Sequence, residues 1–185
     1  NEDGLGVSLS FGGRTAVGEG FGIPLALRYV LELAATVKEA VALLKKVPVH
    51  MSYSVALLDR AGNHATVFVT PDRPVEVLDR RVVTNHQHQP EWKRHAQATR
   101  SVERETALEA VIGTVSDAEE MLGYFLRPPV YQTSFRRGYG TLYTAMYHPA
   151  NASVELIWPS GRWPQSCAHF EEGARMLTFK EGMAA

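Results

Sequence analysis

The segment at residues 83–87, Val-Thr-Asn-His-Gln, carries the side chains best suited to chemistry. It places the carboxamide of Asn85 and the imidazole of His86 at the end of a short apolar stretch, where fixed polar groups commonly meet a substrate. The uncharged N–H of Asn85 can stabilise an oxyanion in acyl transfer, an effect worth roughly 3 to 4 kcal/mol when it is preorganised. Asn85 could instead cap the following loop or helix, and the pattern alone leaves both interpretations open.

Histidines and a carboxylate gather just beyond this segment and could bind a metal ion. On a strand, His86 and His88 would share a face, and on a helix Glu91 and His95 would be neighbours. Imidazole and carboxylate groups are metal ligands, but this spacing matches no familiar zinc signature. Solvated loop histidines are therefore the simpler interpretation, and a metal-dependent hydrolase using His86, His88 and His95 is kept as an alternative function.

Two arginines, Arg100 and Arg104, follow within residues 99–104. A guanidinium here could clamp a carboxylate or orient a catalytic group. Equally, the two arginines could pair with Glu103 or Glu105 on a solvated helix face, which is the commoner arrangement for such runs.

The single thiol, Cys167, excludes an internal disulfide. A nucleophilic cysteine needs a base or a lowered pKa, and His169 lies two residues further on without any sign that the two side chains meet. We interpret Cys167 as a buried or partly buried structural residue.

The elements that must position these groups can be predicted from apolar periodicity and from start and stop signals. Pro24 and the capping-box spacing of Thr36 and Glu39 mark the starts of two helices. Strands are expected at residues 4–11, 52–59, 64–70, 75–78, 81–84, 141–147 and 153–158, helices at 24–33, 36–46, 90–111 and 116–126, and an irregular tail from 161. This order indicates an α+β fold of antiparallel sheet layers covered by helices, in a single domain over residues 1–185.

Composition narrows the class of protein. The 185 residues are 45% apolar and 21% charged, with a net charge of -1, so neither a basic nucleic-acid surface nor an acidic tail is indicated. The longest apolar runs are too short to span a bilayer, no signal peptide opens the chain, and one cysteine fits a reducing compartment. We expect a cytoplasmic protein without a membrane or nucleic-acid partner.

The start of the chain is unusual. It lacks Met and opens at Asn1, directly before a stretch that is typical of a strand. We therefore expect that an N-terminal region is missing from this sequence.

Several segments together resemble one enzyme family. Residues 1–5, Asn-Glu-Asp-Gly-Leu, resemble the Asn-Glu-x-Gly-Leu segment of choloylglycine hydrolases, penicillin V acylases and acyl-coenzyme A:isopenicillin N acyltransferases. Later segments resemble the acyltransferase branch in the same order, most closely over the first 110 residues or so. These are residues 22–24 with Arg28, 36–42, 83–86, 92–95 and 101–104.

The resemblance implies a four-layer αββα sandwich of the N-terminal-nucleophile (Ntn) hydrolases, here lacking its N-terminal part. It also implies a Cys nucleophile at the start of a mature chain made by self-cleavage, with its own α-amino group as base. That cysteine would lie upstream of Asn1. Cys167 lies too far downstream to be its counterpart, and no cofactor or metal is implied.

The resemblance also assigns roles to residues. Asn85 corresponds to the side-chain oxyanion donor, a backbone N–H near Ser10 or Phe11 to its partner, and Arg104 to the arginine of the active site, with Arg100 as the alternative. Ser10, Phe11 and His86 are expected to contact substrate. The bile-salt branch has Asn at the position of Phe11, a change that a backbone donor tolerates.

The function expected is therefore that of an amidohydrolase or acyltransferase acting on a linear, non-peptide amide. The expected partners are a small-molecule amide and the missing N-terminal segment or a partner chain, with a homo-oligomer left open. A non-catalytic binding relative of the same fold stays, like the metal-dependent hydrolase, as an alternative.

Overall fold

A computed structural model describes residues 1–179. Within these residues, nine strands and five α-helices form an α+β fold of antiparallel sheets, which confirms the fold class expected from the sequence. The strands are β1 (Gly6–Phe11), β2 (Tyr53–Leu58), β3 (His64–Val69), β4 (Glu76–Leu78), β5 (Thr133–Ser134), β6 (Tyr139–Gly140), β7 (Thr144–His148), β8 (Ser153–Trp158) and β9 (Gly161–Ser166). The helices are α1 (Ile23–Leu33), α2 (Val37–Leu44), α3 (Lys93–Thr99), α4 (Ser101–Glu109) and α5 (Ala118–Phe125).

The first sheet has the order β1–β2–β3–β4, and each strand is antiparallel to its neighbour. Asp59 shapes the turn between β2 and β3, because its carboxylate accepts hydrogen bonds from the backbone N–H groups of Ala61 and Asn63, each at 3.0 Å. The other carboxylate oxygen accepts the N–H of Val37 at 3.1 Å. One buried side chain therefore joins the predicted hairpin to the first turn of α2.

Helices α1 and α2 pack on one face of this sheet. The predicted capping box begins α2: the Thr36 hydroxyl accepts the N–H of Glu39 at 3.3 Å, and the Glu39 carboxylate accepts the N–H of Thr36 at 3.1 Å. Apolar side chains from both helices, from β2 and β3 and from the adjoining segments form the core. Its buried members are Leu5, Ile23, Ala26, Val30, Ala34, Val37, Ala40, Leu44, Val49, Val55, Leu57, Ala65, Val67 and Val69.

Strand β1 has a free edge. The N–H of Gly12 donates to the carbonyl of Ser52 at 2.8 Å, and Phe11 is paired with Tyr53 in the antiparallel register. Because hydrogen-bonded and non-hydrogen-bonded pairs alternate along an antiparallel ladder, the backbone groups of Phe11 and Leu9 point away from β2. Among the described residues, no other strand pairs with that edge.

The second sheet has the order β7–β8–β9. The β7–β8 hairpin was expected, whereas the prediction of an irregular tail from residue 161 was wrong, because Gly161–Ser166 pairs with β8 along its whole length. Pro164 weakens the strand signal of β9, and it is accommodated since β9 is an edge strand. β5 and β6 form a further short pair that the sequence did not indicate.

Two other predictions need correction. Residues 81–84 are not a strand, and only an isolated bridge joins Thr84 to His86. The helical region expected over 90–111 is broken into α3 and α4 at Arg100, which adopts a left-handed conformation with φ of 51°. This break changes the direction of the chain where α4 begins, and it therefore determines which way the side chains of α4, including Arg104, point.

Candidate active site

The carboxamide of Asn85 is held by the guanidinium of Arg104. Nη2 of Arg104 donates a hydrogen bond to Oδ1 of Asn85 across nineteen positions of sequence. Arginine carries only donors, so the atom of Asn85 that faces it is the oxygen, and the orientation of the amide is settled by chemistry. The Nδ2 group is therefore turned away from Arg104, and among the described residues it has no hydrogen-bond partner.

Arg104 is itself fixed from a second side. Its Nε donates to the carbonyl of Thr99 at 3.1 Å, and the side-chain amide of Gln132 donates to the same carbonyl at 2.8 Å. Burial lowers the pKa of the Arg104 guanidinium, and the nearby Arg100 cation lowers it further. An arginine nevertheless stays charged in proteins, so the site contains a partly desolvated cation in contact with Asn85.

Arg100, the alternative arginine, lies elsewhere. Its Nε donates to the Glu103 carboxylate at 2.7 Å, and 42% of its side chain is exposed. Of the two arginines that the sequence singled out, Arg104 is thus the one that contacts Asn85.

His86 is buried beside Asn85 rather than facing a cleft. Its Nε2 lies 2.9 Å from the Glu105 carboxylate, and its Nδ1 lies 3.1 Å from the hydroxyl of Ser101. Only 3% of the side chain is exposed. With both ring nitrogens occupied, His86 holds the backbone, and this geometry does not support the substrate contact expected from the sequence.

Arg104 also lines a cleft between the two sheets, with a cavity volume of about 530 Å³. One wall is the free edge of β1 and the opposite wall is β7. Its lining combines polar groups with apolar and aromatic side chains. It includes Val7, Leu9, Arg104, Tyr143, Thr144 and Tyr147.

A comparison with known families identifies the family of this chain. The family model of acyl-coenzyme A:6-aminopenicillanic acid acyl-transferase matches residues 1–163. The chain belongs to this family. The acyl-transferase family is part of the Ntn-hydrolase group that includes choloylglycine hydrolase-like enzymes, so the resemblance drawn from the sequence motifs is confirmed. A search of curated proteins gave no match.

Membership of the acyl-transferase family indicates the class of reaction. It supports acyltransferase or amidohydrolase activity in agreement with the sequence-based expectation. None of the helices in residues 1–179 is both long and apolar enough to cross a membrane.

The proposed metal cluster is not assembled. His88 lies 2.9 Å from Glu76, His86 faces Glu105, and His95 stacks on Trp92 with ring centroids 5.2 Å apart. Across residues 1–179, no group of three or more His, Cys, Asp or Glu side chains is arranged to hold a metal ion. The alternative of a metal-dependent hydrolase is therefore wrong, because His86, His88 and His95 do not form a metal site.

The second candidate oxyanion donor lies on the free edge of β1. The alternation described above directs the N–H of Phe11 outward and that of Ser10 toward β2. The Phe11 ring packs edge-on against His95, with centroids 5.0 Å apart. Burial, and then the charge of Arg104, lower the pKa of His95, so this aromatic neighbour is uncharged near neutral pH.

Cys167 and His169 lie outside this arrangement. Both side chains are exposed, so the expectation that Cys167 is buried or partly buried was wrong. The backbone N–H of Cys167 donates to the carbonyl of Ala152, and that of His169 donates to the hydroxyl of Ser166. The sequence interpretation missed the contacts that Glu105, Ser101 and Gln132 make here, since it considered Glu105 only as an ion-pair partner of Arg100 or Arg104. Glu105 directly follows Arg104, just as His86 directly follows Asn85. This parallel could have indicated that Glu105 faces His86, but only if the contact between Arg104 and Asn85 had already been known.

Proposed function

We propose that this chain carries the oxyanion site of an enzyme that cleaves or transfers the acyl group of a linear, non-peptide amide. The observation that carries the proposal is the hydrogen bond from Arg104 to Oδ1 of Asn85. It leaves Nδ2 as a free, fixed donor, and a cation on the oxygen of an amide polarises the N–H bonds of the same group. Preorganised donors of this kind are what an oxyanion needs.

The nucleophile in this proposal is the thiolate of a cysteine upstream of Asn1. It attacks the amide carbonyl, a C–S bond forms, and the carbonyl oxygen takes up negative charge near Nδ2 of Asn85 and the N–H of Phe11. Collapse of this intermediate breaks the C–N bond, and the amine leaves with a proton from the protonated α-amino group of the cysteine. Water or a second amine then cleaves the thioester, and its proton returns to that α-amino group.

The upstream segment has a place to bind. The cleft between β1 and β7 has a strand edge on each side, and an unpaired edge is a template for another strand. A strand paired with the β1 edge would extend the first sheet. In the αββα sandwich that we propose, this sheet is one inner layer and α1 and α2 are the outer layer that covers it. The added strand would also bring a residue of the segment beside Arg104.

The part of the cleft that the upstream strand leaves open would select the substrate. Apolar and tyrosine side chains such as Tyr143 and Tyr147 suit an uncharged acyl chain. Because His86 is occupied by Glu105 and Ser101, we assign substrate contact to the β1 edge at Ser10 and Phe11 instead.

The test uses the complete gene product. Intact-mass measurement and N-terminal sequencing of the purified protein should show a mature chain that begins with Cys upstream of Asn1. Changing that residue to Ala should abolish both self-cleavage and hydrolysis of a panel of acyl p-nitroanilides. Cys167→Ala is the matched control and should keep both activities. A full-length protein without an upstream cysteine, or one that stays active without it, would overturn the proposal.

A further inference from the structure

Three consecutive residues, 84–86, are fastened to a single face of α4. The hydroxyl of Thr84 donates to the carbonyl of Ser101 at 3.0 Å, Asn85 accepts from Arg104, and His86 lies 2.9 Å from Glu105. Positions 101, 104 and 105 are three and four residues apart, the spacing that puts side chains on the same side of a helix. The loop residues and the helix residues thus meet in order.

The His86–Glu105 pair is the most enclosed contact of the three. Only 3% of the His86 side chain and 13% of the Glu105 side chain are exposed. Arg80 donates to the other oxygen of Glu105 at 2.8 Å, and the Ser101 hydroxyl occupies the second nitrogen of His86. A buried polar pair with all of its partners present has few alternative arrangements, so it restricts the backbone that carries it.

Arg104 alone does not determine where Nδ2 of Asn85 points. One hydrogen bond to Oδ1 fixes the distance between two side chains, while the backbone of Asn85 could still shift along α4. The neighbouring attachment at His86 removes that freedom, because Asn85 and His86 share a peptide unit. Displacement of a catalytic group by about 1 Å can cost on the order of 100-fold in rate.

We propose that His86 and Glu105 are positioning residues that hold the Asn85 carboxamide at the oxyanion. The inference rests on the proposed function, since it assumes that Asn85 donates to a developing charge. Neither residue touches substrate in this account. Their effect passes through the backbone of Asn85 and is expressed in the transition state rather than in substrate binding.

The test is Glu105→Gln in the full-length enzyme, with Glu109→Gln as matched control. Glu109 carries the same charge one turn further along α4, lies 3.6 Å from Arg80 and is 55% exposed. Glu105→Gln should lower kcat about 10- to 100-fold at an unchanged KM. It should also weaken binding of an acyl aldehyde, which forms a tetrahedral adduct with the thiol, by a similar factor. Loss of folded enzyme alone would lower kcat without changing that inhibition constant.

A double-mutant cycle separates the two hypotheses. If Glu105 acts through Asn85, adding Glu105→Gln to Asn85→Ala should cause little further loss, since the group being positioned is already absent. An Asn85→Ala enzyme with full activity would refute the proposed function. A crippled Asn85→Ala enzyme beside a fully active Glu105→Gln enzyme would refute only the positioning role. His86→Gln serves as a second variant should Glu105→Gln fail to fold, and it should reproduce the same pattern of kcat and aldehyde binding.

Discussion

Arg104 in the first turns of α4 donates a hydrogen bond to Oδ1 of Asn85, and this contact leaves the other half of the carboxamide free. Because Oδ1 is held by Arg104, the N–H donor Nδ2 is fixed in place and is suited to stabilise negative charge on a bound substrate. The predictions below follow from that arrangement and from the elements that support it.

Removal of the Asn85 carboxamide should strongly reduce catalysis. Asn85→Ala should lower kcat by about 10²- to 10³-fold, the usual effect of deleting one oxyanion donor, with a smaller change in KM. Steady-state kinetics on an acyl p-nitroanilide would measure it. Asn151→Ala, in an exposed turn before β8, is the control and should behave as wild type; equal losses in both variants would contradict the assignment.

Arginine geometry at position 104 should matter as well as charge. Lysine cannot bond the carbonyl of Thr99 and Oδ1 of Asn85 together, because it lacks the planar fork of donors. We expect Arg104→Lys to lower kcat/KM by on the order of 100-fold through misplacement of Asn85. Arg100→Lys, at an exposed ion pair with Glu103, should leave it nearly unchanged. The reverse order of effects would identify Arg100 as the arginine of the site.

The backbone donor of Phe11 can be tested by proline. Since its N–H points away from β2, Phe11→Pro removes a donor that the ladder does not use, and an edge strand tolerates proline at such a position. We expect a loss of kcat of about 10²- to 10³-fold, whereas Phe11→Ala keeps the N–H and should retain most of it. Thermal unfolding of Phe11→Pro and Phe11→Ala, compared side by side, controls for damage to β1. Comparable activity in Phe11→Pro and Phe11→Ala would remove this N–H from the mechanism.

Acid should destabilise the fold through the carboxylates around Arg14. Its guanidinium contacts Asp72 at 2.7 Å and Glu91 at 3.0 Å. The Arg14 guanidinium holds the pKa of both carboxyls below their ordinary values of 3.8 and 4.5. A depressed folded-state pKa stabilises the protein above the unfolded value, so this contribution is complete at neutral pH and is lost as pH falls below about 4.5.

Thermal unfolding followed by circular dichroism between pH 3 and 7 would measure this effect. Asp72→Asn should lower Tm at pH 7 and flatten the decline of Tm toward pH 3. Asp79→Asn, whose carboxylate is bound by His64 on the surface, is the matched control. An unchanged slope in Asp72→Asn would contradict the assignment of acid sensitivity to Arg14.

Local signals predicted much of this architecture. The capping box of Thr36 and Glu39 and the two hairpins appear where their residue types indicated, because caps and short turns depend on adjacent residues. Asn85 and Arg104 were both singled out from motif resemblance, and the structure places them in contact. Their catalytic roles stay a prediction.

The remaining features depend on contacts between distant parts of the chain. The left-handed conformation of Arg100 has no local signal such as Gly or Asn. Strand β9 forms because the edge of β8 is available to pair with a segment interrupted by Pro164. His86 was expected at the substrate because imidazoles in loops commonly meet ligands. Its burial against Glu105 depends on where α4 lies, which no spacing within residues 83–87 could show.

The most direct test is a crystal structure of the complete mature protein with an acyl aldehyde bound to its N-terminal cysteine. The account predicts a tetrahedral adduct whose oxygen lies about 2.7–3.1 Å from Nδ2 of Asn85 and within hydrogen-bond reach of the N–H of Phe11. An adduct oxygen directed away from Asn85, with the carboxamide still held by Arg104, would contradict it.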